Sequence, residues 1–308
     1  MAPFTTIGTG GKADLLVTVK TPESLAAVLA AVEEAGVEWF CLGAGSNLLV
    51  ADRGYRGVVI KLDETFHYVE GLPPAPVEPA PDCRPVVITV GAAAYLARLA
   101  AVVAEAGLSG MEHACGIPGS VGGAVAMNAG AYGWCMRDVV QEVQIATSDG
   151  VRWIRPDECR WGYRYCTLPR HAVVTAVRLS LTPAHCEAVL ETQRGYLRQR
   201  REKQPRSVHT FGSSFKNPPG QHAGRLVETA GLKGVRRGGA EISTVHGNFL
   251  VNLGDATTAD VLALMTLMRQ GVERVSGVVL EPEVKLLGAA FPWDAPGDPA
   301  RDRSPADG

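Results

Sequence analysis

The sequence has no long run of one charge. Its 30 Lys and Arg stand against 32 Asp and Glu, a formal net charge of −2. With no basic block, nothing in it suits a phosphodiester backbone, and nucleic acid is not an expected partner. Long apolar runs are missing too. "SLAAVLAAVEEAGV" and "YLARLAAVVAEAGL" are broken by charge short of the roughly 18–20 residues that a spanning helix requires, so no membrane insertion is expected. The start, "MAPFTTIGTGGKADLL", has neither the basic opening nor the apolar core of an export signal, which predicts a cytoplasmic protein. The seven cysteines (Cys41, Cys83, Cys115, Cys135, Cys159, Cys166, Cys186) are never spaced C-x-x-C, which argues for reduced thiols rather than disulfide or zinc. The seven histidines are dispersed, so no metal site is expected. No internal repeat is present, and no protein partner is indicated.

What is present is a 308-residue chain with 46% hydrophobic residues, enough for two or three domains with real cores. Residues 1–62 read as a small α/β unit. Strand "DLLVTV" leads to a helix with Thr21 as N-cap and Glu23 in its first turn, then to strands "EWFCLG" and "GVVIKL". Residues 63–186 are richer in short strands, with one helix through "YLARLAAVVAEAG". Residues 187–290 open on a charged helix, carry a second through "TADVLALMTLMRQGVERVSG", and close on the strand "VVLEPEVKLLG". The remainder, 291–308, is rich in Pro, Asp and Gly and reads as a disordered tail.

Two glycine clusters stand out. In "VEWFCLGAGSNLLV" a strand runs into Gly43 and Gly45. A dinucleotide fingerprint would need a third glycine where Leu48 stands, followed by a long helix. That excludes a Rossmann loop but not a phosphate cradle, because paired glycines let successive N–H groups converge on an anion, with Ser46 and Asn47 as further donors. An ordinary turn explains this stretch equally well. The second cluster, "GIPGSVGGAVAMNAGAYG" at 116–133, presents little side-chain bulk. It suits either a large flat ligand against the main chain or close packing on another element.

"GAGSNLLV", "GIPGSVGGAVAMNAGAYG", "WGYRYCTLP", "GSSFKNPPG", "AGRLVETAGLKG" and "LEPEVKLLG" occur in this order, and together they resemble the UDP-N-acetylenolpyruvoylglucosamine reductase family over roughly residues 5–288. The resemblance implies an α+β fold, with a two-part FAD-binding region of the vanillyl-alcohol-oxidase (PCMH) type (1–62 and 63–186) and a C-terminal α+β substrate-binding domain (187–290). It implies FAD as cofactor, NADPH as reductant and UDP-N-acetylglucosamine enolpyruvate as substrate. Gly43, Ala44, Gly45, Ser46 and Asn47 correspond to the family's pyrophosphate loop. Gly116, Ile117, Pro118, Gly119, Ser120, Gly122, Gly123, Asn128 and Ala129 correspond to the wall against which the flavin lies.

Reduction of an enol ether conjugated to a carboxylate needs a group to stabilise the developing enolate and a group to protonate the neighbouring carbon. The resemblance gives Ser213 as proton donor and Arg164 and Glu283 as stabilisers. A permanently charged planar fork suits a carboxylate, and an acid beside an enolate should hold its proton, which implies a raised pKa. Glu281 lies on the same face of an extended strand and competes with Glu283. Tyr163, Lys203, Asn217 and Arg225 are the implied substrate contacts. Most of the run Arg194, Arg198, Arg200, Arg201, Lys203, Arg206 reads as a solvated helix face.

The chain departs from the family pattern at Gly8, Cys166 and Val245, where arginine, serine and lysine are common. The segment ahead of the serine motif is compact, so the chain resembles the form without the extra substrate-covering insertion. Another FAD-linked oxidase or dehydrogenase on the same scaffold, or a noncatalytic flavin- or nucleotide-sugar-binding protein, remains the alternative.

Overall fold

The computed structural model of the protein describes residues 1–76, 79 and 84–294. Cys83 and residues 295–308 of the expected tail lie outside that set. The chain divides into two compact units: 15–44 with 57–202, and 1–14 with 45–56 and the described residues from Lys203 onward. Each has its own hydrophobic cluster. The sequence suggested three consecutive segments, but the first two share one core. The charged helix after them joins that core because Val189, Gln193, Tyr196 and Leu197 fall on one helical face; Tyr196 and Leu197 pack against the cluster, and Gln193 donates to Ala100 O at 2.7 Å.

The larger unit is built on an antiparallel sheet in the order Gly150–Ile154, Val140–Thr147, Val173–Pro183, Val86–Gly91, Val69–Glu70. Val177 pairs with Val143 on one side and Val90 on the other, and all three are buried. A second sheet has Tyr55–Leu62 between Ala13–Val19 and Trp39–Leu42, and Tyr55–Leu62 runs parallel to Trp39–Leu42, with Val58 opposite Trp39. Helix α1, Pro22–Glu34, starts where expected. Thr21 Oγ1 accepts from Ser24 N and Ser24 Oγ from Thr21 N, both at 3.1 Å, a reciprocal cap. Helix α2 spans Leu96–Glu105. Helix α3, Val121–Ala126, lies inside the second glycine cluster, and α4, Cys186–Lys203, closes the unit. Helix α3 was not expected, because Gly122 and Gly123 oppose helix. Ser120 starts it by accepting from Gly123 N at 3.3 Å.

In the smaller unit, Ala240–Ile242 is flanked by Arg236–Arg237 and Leu250–Asn252, and Leu48–Val50 runs parallel to Lys285–Leu287. Two helices cover these strands: α5, Ala223–Thr229, and α6, Thr258–Ser276. Asp52 holds the start of α6, its carboxylate accepting from Thr258 N (2.8 Å) and Ala259 N (2.9 Å), and Gly277 ends it in the left-handed conformation. The expected strand at 278–288 is regular only over Lys285–Leu287, since Pro282 has no N–H for a ladder. Residues 291–294, assigned above to the tail, form a turn in which Phe291 and Trp293 stack at 5.0 Å, with Phe215 6.3 Å from Trp293. Two aromatics with a partner outweigh the polar composition around them.

Candidate active site

The smaller unit brings Ser213 and Glu283 onto neighbouring stretches of backbone. Glu283 N donates to Ser214 O (2.9 Å) and Lys216 N to Glu281 O (2.9 Å), with Phe215 opposite Pro282. On the other side Ser213 pairs with Phe249, and Ser214 N donates to Asn248 O at 2.8 Å. Gly212, at φ 83°, turns the chain into this strand, a conformation cheap only for glycine. The two acids differ in setting: Glu281 is exposed and paired with Lys216 Nζ at 3.2 Å, whereas Glu283 is half-buried. Asn47 reaches the same place. Its side-chain amide donates to Glu283 O at 3.1 Å and its main-chain carbonyl accepts from Lys285 N at 3.1 Å. Asn217 is exposed and its side-chain oxygen accepts from Ala223 N (3.0 Å) at the start of α5, on which Arg225 is exposed. Lys203 is exposed at the end of α4.

In the larger unit the two glycine clusters meet. A Cβ on Gly43 would stand 2.7 Å from Ser120 Oγ, and one on Gly122 would stand 2.9 Å from Ala92 Cβ. The strand–loop junction is therefore glycine because the cap of α3 lies against it, the close-packing reading of that cluster. The phosphate reading also has support. Gly45, at φ 66°, gives the loop the left-handed backbone that lets successive N–H groups turn towards one point. FAD fits this set: a loop turned at a left-handed glycine, and, in the larger unit, a glycine-rich stretch in which Ser120 caps α3. Across the wall, Leu96 N donates to Gly119 O (2.9 Å), Ile117 N to Ala114 O (3.0 Å) and Ala129 N to Ala124 O (2.8 Å). These bonds hold the stretch rigid.

Asn128, at φ 40°, ends that wall and ties it to the hairpin Arg160–Gly162/Tyr165–Thr167. Its amide donates to Gly162 O at 2.9 Å and its oxygen accepts from Arg137 N at 3.1 Å. The two residues at the hairpin tip are Tyr163 and Arg164. Arg164 holds φ 66° and lies 4.8 Å from the Tyr163 ring centroid. A left-handed arginine is a costly choice for a turn, and such outliers cluster at functional sites. Of the cationic run, Arg194 and Arg198 pair with Glu191 on the helix surface. Arg200 is different. It donates to Gly116 O at 3.1 Å, lies 5.9 Å over Tyr132, and has its pKa lowered, first by burial and to a lesser degree by the charge of Arg164.

Sequence reasoning overlooked Asn248. Its motif was read for the valine at 245, while the signal lay in a lone amide ahead of the apolar strand Leu250–Asn252. Cys41 and Cys166 are pushed up to about 12 by burial, and no disulfide forms among the described cysteines. The described residues likewise contain no cluster of metal-ligating side chains and no helix long and apolar enough to cross a membrane.

Residues 13–154 match the family described as FAD binding domain, and residues 204–287 match UDP-N-acetylenolpyruvoylglucosamine reductase, C-terminal domain. The chain is 47% identical over 300 residues to the UDP-N-acetylenolpyruvoylglucosamine reductase of Anaeromyxobacter sp. (strain Fw109-5), covering 96% of this chain and 90% of that one. It is 43% identical over 292 residues to that of Myxococcus xanthus, covering 94% and 90%. The crystal structure of the Thermus caldophilus reductase is similar with a TM-score of 0.79 at 38% identity, over 93% of this chain and 96% of that one. By these full-length similarities, the chain belongs to the UDP-N-acetylenolpyruvoylglucosamine reductase family.

Proposed function

We propose that this protein reduces UDP-N-acetylglucosamine enolpyruvate to UDP-N-acetylmuramate, a peptidoglycan precursor, with FAD as resident cofactor and NADPH as reductant, in the cytoplasm. The observation that carries the reading is kinship at 47% identity over 96% of the chain. In this reading the FAD-binding part lies within residues 13–154 and the sugar-nucleotide part within residues 204–287. The loop Gly43–Asn47 takes the pyrophosphate, and the stretch from Gly116 to Ala129 forms the flavin wall.

FAD, when bound, supplies the hydride. The chain's own residues supply charge, position and a proton. Arg164 at the hairpin tip holds the substrate carboxylate, where a bidentate pair fixes the plane as well as the charge. Its strained backbone, anchored through Gly162 by Asn128, supports a positioning role. Glu283 stabilises the enolate as a protonated or proton-sharing acid. Its half-buried setting favours it over the exposed, ion-paired Glu281, since removal from water favours a neutral carboxyl. Ser213 protonates the adjacent carbon. A hydroxyl is a weak acid and performs this step only against a strong base in a site closed to water. Tyr163, Lys203, Asn217 and Arg225 contact the sugar nucleotide, the cations at its phosphates. No nucleic acid takes part.

The test is a visible spectrum of the FAD-loaded protein under anaerobic titration. NADPH should bleach the flavin, and the enolpyruvyl substrate should restore it. Ser213→Ala should keep the first step and slow the second by about 10²–10⁴-fold, the usual range for general acid catalysis. Flavin indifferent to that substrate would point to another oxidoreductase on this scaffold.

A further inference from the structure

The carboxamide of Asn248 both donates to and accepts from backbone. Its oxygen accepts from Phe215 N at 3.0 Å and its nitrogen donates to Phe215 O at 2.8 Å, while its own carbonyl accepts from Ser214 N at 2.8 Å. The residue is 3% exposed. The side chain thus takes the place of a neighbouring strand for Phe215, and the main-chain carbonyl of the same residue does so for Ser214. Asn248 is itself fixed from below, since its N–H donates to His246 Nδ1 at 3.1 Å. The same segment reaches the acid: Ser214 O accepts from Glu283 N at 2.9 Å. Ser214 is therefore gripped on both sides, by Asn248 through its N–H and by Glu283 through its carbonyl. The residue before it in the strand is Ser213, and the residue across from it is Glu283.

We propose that Asn248 is a positioning residue for proton delivery, holding the 213–215 backbone so that Ser213 Oγ meets the enolate carbon from one face. The inference rests on the assignment of Ser213 as proton donor. In that step the serine O–H bond breaks and a C–H bond forms. The electron pair of the O–H bond remains on the serine oxygen, which is reprotonated from solvent. A weak acid is sensitive to placement, and a misplacement of 1 Å can cost on the order of 10²-fold. An apolar residue at 248 would leave the N–H and C=O of Phe215 buried without partners, and the strand would shift to recover them.

The experiment compares Asn248→Ala and Ser213→Ala with wild type, each checked for thermal midpoint and FAD content. The measurements are the rate of flavin reoxidation by the enolpyruvyl substrate, the solvent deuterium isotope effect on it, and the configuration of the new stereocentre made in D₂O. Asn248→Ala is expected to lower reoxidation by about 10²-fold, to raise the isotope effect, and to yield product of mixed configuration, while flavin reduction by NADPH is retained. A purely structural loss would remove folded enzyme without altering isotope effect or configuration. Where Asn248→Ala does not accumulate as folded protein, His246→Ala removes the acceptor beneath Asn248 and leaves the carboxamide. The same changes at smaller amplitude would then support the proposal. Unchanged reoxidation, isotope effect and configuration in the variant that folds would overturn it. Full reoxidation by Ser213→Ala would instead sink the proton-donor assignment itself.

Discussion

At the scale of single residues, adjacent serines have opposite surroundings. Ser214 is fully buried and its Oγ has no hydrogen-bond partner among the described residues, while Ser213 is partly exposed. A buried hydroxyl without a partner costs about 1–3 kcal/mol in desolvation. Ser214→Ala should therefore raise stability by about 1 kcal/mol, read as a higher denaturation midpoint; a lower midpoint would mean that the hydroxyl has a use. His246 offers a second prediction. Burial, and then the charge of Lys233, lower its pKa, with Glu228 opposing. Its neutral Nδ1 accepts from Asn248 N. A base whose folded pKa is depressed binds its proton first in the unfolded chain. Stability from this group is therefore complete above the unfolded pKa of about 6.5 and is lost as pH falls below it towards the folded value. Denaturant melts from pH 7.5 to 5.5 should show that loss in wild type and a flatter curve in His246→Asn. Equal slopes would remove His246 from the account.

At the scale of elements, the hairpin 160–167 shows what a sequence conveys and what it withholds. "WGYRYCTLP" singled out Arg164 through the family resemblance, but showed neither the hairpin itself nor that Arg164 sits at φ 66° and Asn128 anchors Gly162. Backbone angle and long-range anchoring are tertiary facts, and no local pattern encodes them. The same applies to α3, hidden in a glycine run until Ser120 was seen to cap it, and to Asn248, whose partner Phe215 is 33 residues away. By contrast α1 and α6 were legible because cap, period and length agreed at each. The arginine conformation carries a prediction with two signs. Left-handed backbone costs a non-glycine residue roughly 1–2 kcal/mol, and asparagine tolerates it better. Arg164→Asn should raise stability by about 1 kcal/mol, read as a higher melting midpoint. It should also lower kcat/KM by about 10²–10³-fold, as loss of one preorganised charge contact does. A variant that loses stability would show that the turn is held by the guanidinium rather than strained around it.

At the scale of the whole molecule, a linear reading divides a chain into consecutive pieces, and this chain is not arranged that way. The smaller unit draws on residues 1–14, 45–56 and 203 onward. Ile7 and Leu49 share a core with Leu264, Met265 and Met268. Thr258 Oγ1 donates to Val50 O (2.6 Å) across 208 positions, and Asn252 Nδ2 to Ile7 O (2.9 Å) across 245. No periodicity in "MAPFTTIGTGG" could reveal that Ile7 is buried under a helix so distant in sequence. The central pairings of the larger unit are closer, as where Val143 meets Val177 and Ile154. Closing a loop of about 200 residues rather than about 30 costs roughly 1.7 kcal/mol more in chain entropy, and folding slows as contacts become less local. The larger unit should therefore gain protection first. In refolding followed by pulsed hydrogen exchange, the amides of Val143 and Val177 should be protected ahead of Ile242 and Leu250, and Ile7→Ala should delay only the second pair, besides costing about 2–5 kcal/mol of stability in the unit that carries Ser213 and Glu283. Simultaneous protection of all four amides would mean that the two cores form in one cooperative step, and earlier protection of Leu250 would mean that local strength in 203–294 outweighs the entropy of closure.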